Sequence, residues 1–148
     1  MTATRSPSEP SPGAVASTGP SLRAFGLVVL VMFVLTSAVG GSLALESSYL
    51  PVTLASHIGL ALVTLGVAGY AASAVGRVYR ALPRVAAGLA ALCALGATVA
   101  GTVFLVGGQT NAALYAMEGL AGVGVLASIV MMVAGGQSGR RSQVTATS

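Results

Sequence analysis

His57 is the only histidine in this 148-residue chain, and Glu118 is one of just three carboxylates. Both stand inside long apolar runs, where a titratable side chain is costly and normally has a partner or a task. His57 lies a short way into the run that opens at Pro51, and Glu118 a similar way into the run that follows Asn111. On a helix each would be roughly 10 Å inside the nearer membrane boundary. Both runs enter from the same side, so the two residues share a depth and could meet. Three kinds of chemistry follow: a His–Glu pair that ties two helices in register, a ligand or cofactor site, or a proton or ion path through Glu118. Helical spacing groups Thr53, Leu54, Leu60, Ala61 and Thr64 with His57, and Asn111, Leu114, Tyr115, Gly122 and Val125 with Glu118. His57, Glu118, Asn111 and Tyr115 are thus expected to form a polar cluster.

The imidazole of His57 could also serve as an axial haem ligand through one nitrogen, its tautomer fixed by the other. With a single histidine in the chain, the opposite position would fall to Met32, Met117, Glu118 or another ligand, stay open, or take a second copy of His57 from another chain. Glu46 and Glu118 are the candidates for proton handling. Zinc is excluded as a structural or catalytic ion, because one histidine, a remote Cys93 and scattered carboxylates do not make a ligand set. Cys93 has no disulfide partner and reads as a small packing residue. The glycines of GVAGYA and GLAGVG sit inside lipid-length runs rather than after strands, so they are packing patterns and not phosphate loops.

The elements that must hold these residues are transmembrane helices. The chain is 55% apolar and only 7% charged, with a mean hydropathy of +0.90, which leaves too few polar side chains to cover a soluble domain. Four apolar spans emerge, at about 24–45, 52–76, 85–106 and 112–136. Each exceeds the roughly 30 Å hydrocarbon core when helical, and lipid forces the backbone to pair within the segment. The expected fold is an all-α integral membrane domain over 22–136, a four-helix transmembrane bundle. Residues 1–21, rich in Pro, Ser, Thr and Gly, read as a disordered cytoplasmic tail, and 137–148 as a second, polar cytoplasmic tail.

All seven basic residues are arginines. Arg5 and Arg23 precede the first span, Arg77, Arg80 and Arg84 lie between the second and third, and Arg140 and Arg141 follow the fourth. The other two loops have none, which places both termini in the cytoplasm of a cell-membrane protein. The formal +4 charge is therefore an orientation signal and not a nucleic-acid surface. The partners this composition implies are the lipid bilayer and other membrane subunits or further copies of the chain. A shift of 61 residues places Arg23 on Arg84, Gly40 on Gly101, Leu65 on Leu126 and His57 on Glu118. Such a match suggests two repeated helix hairpins related by an axis along the membrane normal.

The stretch LTSAVGGSLALESSYLPVTLASHIGLALVTLGVAGYAA, with its parallel LGATVAGTVFLVGGQTNAALYAMEGLAGVGVLAS, resembles one four-helix half of the haem A synthase family. The resemblance implies a haem-binding bundle with His57 at a ligand position and Glu46 loosely at the place of an acidic residue associated with that family's chemistry. Two departures stand out: no histidine accompanies Glu46, and the second hairpin carries Glu118 where a histidine would match. Three functions are accordingly in view. One is a membrane subunit or assembly factor, of a respiratory or other redox complex, held by a buried His–Glu pair. The others are a haem-binding protein for electron transfer or haem modification, and a small proton-coupled transporter.

Overall fold

A computed structural model describes residues 21–45, 51–79, 81–107 and 110–146. The described residues form four helices: α1 (Leu22–Leu45), α2 (Pro51–Val78), α3 (Ala81–Val106) and α4 (Asn111–Ala146). All four are long and apolar enough to cross a membrane, so the chain is a multi-pass membrane protein with a four-helix bundle. The expected acid at Glu46, the arginines at 5 and 80, and the expected tail at 1–20 lie outside the described residues.

The helix ends follow local chemistry. Ser21 caps α1, its hydroxyl accepting a hydrogen bond from the Ala24 amide at 3.3 Å. Pro51 opens α2 at a position whose missing N–H would have had no partner. Pro83 falls within the first turn of α3, which begins at Ala81 rather than near residue 85, for the same reason: the first-turn amides bond nothing inside the helix. The fourth span, Asn111–Gly135, matches the expected run, but α4 continues as a helix to Ala146 instead of ending with it. No proline interrupts 137–146, and the two glycines before it weaken a helix without ending it.

The helices form a closed ring in which α1 packs on α2, α2 on α3, α3 on α4 and α4 on α1. Each helix therefore has two main neighbours, and α3 holds no more central a place than the others. Its alanines nonetheless supply much of the core. Ala86, Ala87, Ala90 and Ala94 are buried with Cys93, facing Ala68, Ala71 and Val75 of α2 within one cluster. Leu27, Leu62, Leu92, Val99 and Leu126 point outward with roughly half or more of their surface free. Lipid tails solvate such side chains as well as a core would, so the bundle is held by close van der Waals contact between small residues.

The α1–α4 seam depends most on small residues. Around Gly26 and Gly124 the helices approach so closely that a Cβ would lie 2.7 Å from Met132 Cγ and 2.4 Å from the Phe33 ring, respectively. A ring seated flat on a glycine is a knob filling a hole in the facing helix. The α1–α2 seam has a polar staple instead. Thr36 and Thr64 hydroxyls lie 2.8 Å apart. Thr36 Oγ1 also reaches the Met32 carbonyl at 2.8 Å and Thr64 Oγ1 the Leu60 carbonyl at 2.7 Å. Thr64 Oγ1 lies 3.4 Å from the Met32 carbonyl as well. Two hydroxyl protons thus serve four contacts, and the interhelical bonds form at the expense of bonds within each helix. The net worth of the staple is accordingly modest, about 0.6 kcal/mol as typical for interhelical hydrogen bonds in membranes. Thr64→Val is expected to lower the unfolding free energy in mixed micelles by about that amount. The double variant Thr36→Val/Thr64→Val should lose little more, because both substitutions break the same bond.

Candidate functional site

In the half of the bundle away from the arginine groups the helices part around a cavity of about 500 Å³. Phe33, Ala94 and Val125 line it from the levels nearest the packed core. Toward the far end His57 and Ala61 line it from α2, Gly101 from α3, and Met117, Glu118 and Ala121 from α4, with Gly40 completing the wall on α1. The sequence creates this space by subtraction: small side chains occur at inward positions on all four helices at one depth, where larger ones would have filled it. The walls are mostly apolar, with hydroxyls at Thr36, Thr64, Thr98 and Thr102. A volume of this size, mainly apolar with a few polar groups, belongs to the range of small-molecule sites.

His57 is the most constrained polar group in the cavity wall. Its Cε1 would lie 2.7 Å from a Cβ at Gly40, so the tip of the imidazole occupies the place of the missing side chain. Nδ1 is buried and makes no hydrogen bond of standard geometry, although the Thr36 backbone lies within hydrogen-bonding reach of the ring. Only Nδ1 is sealed in this way, so Nε2 is the nitrogen that a molecule in the cavity can engage. The matching contact in the second hairpin is made by Met117, whose sulfur would lie 3.4 Å from a Cβ at Gly101. Glu118, the residue that pairs with His57 in the 61-residue shift, follows it and faces the cavity from its open side.

The expected polar cluster comes together in part. His57 and Glu118 line one cavity, and among the described residues no hydrogen bond or ion pair joins them. They stand on α2 and α4, which lie across the ring from each other with the cavity between. Asn111 and Tyr115 are not part of the wall; both are exposed, Tyr115 by 67%. Met117 lines the cavity, whereas Met32 does not, its backbone carbonyl being taken up by the threonine staple. Of the residues grouped by helical spacing, Leu54, Ala61 and Thr64 share the wall with His57, and Leu114, Gly122 and Val125 share it with Glu118. Phe33, Thr36 and Thr98 also line the cavity without having been singled out. Their signal was faint: a threonine one or two turns from a histidine on a neighbouring span. Among the described residues no group of three His, Cys, Asp or Glu side chains could hold a metal ion.

Comparison of the chain with protein-family models, curated proteins and solved structures finds no match to any of them.

Proposed function

We propose that this chain is a ligand-binding membrane protein, whose bundle holds a small, mainly apolar molecule inside the bilayer with His57 as its polar anchor. The observation that carries this function is a mainly apolar cavity of about 500 Å³ shared by four helices, with the imidazole of His57 in its wall. A purely structural role for the His57–Glu118 pair explains less, since the two side chains do not bond and a filled interior would have held the helices better. With both termini on the arginine side, the cavity faces the outer leaflet. The chain could serve in this way alone or as a subunit that presents the bound molecule to a larger membrane complex. Native mass spectrometry of protein released from its own membranes is expected to show a bound small molecule that His57→Ala removes. A bare wild-type protein under conditions that preserve lipid adducts would contradict it.

A haem is the second candidate occupant, favoured by the donor types in the wall. His57 through Nε2 and Met117 through its sulfur both line the cavity, and both are side chains that bind haem iron. Bound haem would supply electron transfer or oxidative chemistry, while the chain would bind its face between small residues and keep water away. The likeness to the haem A synthase family is to be weighed by the same measurement. A Soret band that shifts or disappears in His57→Ala supports haem, and a colourless protein from haem-replete cells removes it while leaving the first proposal standing.

A further inference from the structure

We propose that the cavity opens sideways into the lipid, through a portal between α1 and α4, and takes from the bilayer a lipophilic amine whose cationic head meets Glu118. The proposal rests on the ligand-binding function above and specifies its ligand and route. Toward the arginine end the α1–α4 seam is shut, by the Arg23 backbone against Gly135, Met132 against Gly26 and the Phe33 ring against Gly124. Beyond Phe33 no such knob closes it. There the cavity wall runs out onto the outer flanks of both helices, at Val34, Ser37 and Gly41 on α1 and at Glu118 and Gly122 on α4. All five are exposed, Val34 by 52%. Residues that line a cavity and are open to the outside mark where it breaks the surface.

The neighbouring seams are closed at the same depth. His57 on Gly40 and the Thr36–Thr64 contact close α1 against α2. Leu120 on Gly96 and Met117 on Gly101 close α3 against α4. On α2 and α3 three wall residues are exposed, Ile58, Thr102 and Leu105, and each carries a side chain larger than alanine. On the α1–α4 side the flanks carry Gly41 and Gly122, where a Cβ would meet nothing within 4 Å.

Its chemistry selects the ligand. The portal carries one carboxylate and one hydroxyl, Glu118 and Ser37, in otherwise apolar surroundings. Among the described residues Glu118 has no ion-pair partner, and a carboxylate at this depth gains most from a cation that arrives with its own apolar body. The body would lie inward over Phe33, Ala97 and Ala121, and the polar corner at His57 Nε2 could accept or donate one further hydrogen bond.

The test uses the full chain in nanodiscs and stearylamine carrying a nitroxide near the middle of its tail, with the matching stearyl alcohol as control. Electron paramagnetic resonance reads the immobilised fraction as the label is titrated. Wild-type protein is expected to hold the amine more tightly than the alcohol, with Glu118→Gln weakening the amine about tenfold, the worth of one charge-assisted hydrogen bond. Gly122→Leu and Gly41→Leu should each abolish the immobilised component, and Leu62→Trp, on the outward face of α2 and away from the cavity wall, should leave it intact. Equal retention of amine and alcohol, or an immobilised component that survives both glycine variants, would overturn the proposal. Ala97→Leu separates the two levels. If it alone abolishes binding, the cavity is a binding site without this portal; if it too leaves the spectrum unchanged, the ligand-binding function itself fails.

Discussion

Gly26→Val is expected to destabilise the bundle by about 3 kcal/mol, toward the upper end for overpacking a close contact. A Cβ at this position would lie 2.9 Å from both the Met132 amide nitrogen and the Ser128 carbonyl oxygen of α4, in addition to the Met132 side chain. A flexible side chain can turn aside, but two backbone atoms of a facing helix move only if the helix moves. The α1–α4 seam would have to open along its packed half, where Val29, Phe33 and Met131 are buried. Gly41→Val is the natural comparison, since nothing lies within 4 Å of its Cβ. Reversible denaturant titration in mixed micelles should separate the two variants clearly. Equal midpoints would mean that α1 and α4 do not meet as described.

The second large effect concerns the cavity. Ala97→Leu places three further carbon atoms against its wall, where they can gain packing partners that the alanine lacks. The variant is expected to be more stable than wild type by about 1 kcal/mol and to bind the cavity's occupant at least about tenfold less well. Opposite signs for stability and binding are the signature of a site kept open at a cost to packing. A variant that loses both would point instead to a tightly packed interior at this position, and one that loses neither would place the site elsewhere.

Much of the architecture was legible because lipid imposes strict rules on a chain. Four runs of lipid length can only be helices, and the expected spans agree with the helices to within a few residues at most ends. Where they differ, the cause is chemical and local: Pro83 does not delay the start of α3, and polar residues do not by themselves end α4. Common depth brought His57 and Glu118 to one region, and the structure places both on one cavity wall, with Met117 and Gly101 beside them. What spacing along single helices does not convey is the order of helices around the ring. Because α2 and α4 stand across from each other, His57 and Glu118 face a space rather than each other. The contact His57 does make, with Gly40, depends on rotation of α1 against α2, which follows from side-chain packing and leaves no mark in either run alone. Asn111 and Tyr115 share a spacing with Glu118 but fall on the exposed side of the helix end.

The sole histidine offers the most direct measurement. Protein labelled with 15N at histidine, in nanodiscs, gives one imidazole spectrum and hence an unambiguous report from the cavity wall. Adding the small-molecule fraction extracted from the protein's own membranes is predicted to move the Nε2 resonance strongly and Nδ1 much less, and to move neither in Ala97→Leu. Identical spectra before and after addition, or the same shift in wild type and Ala97→Leu, would contradict a ligand site built on His57.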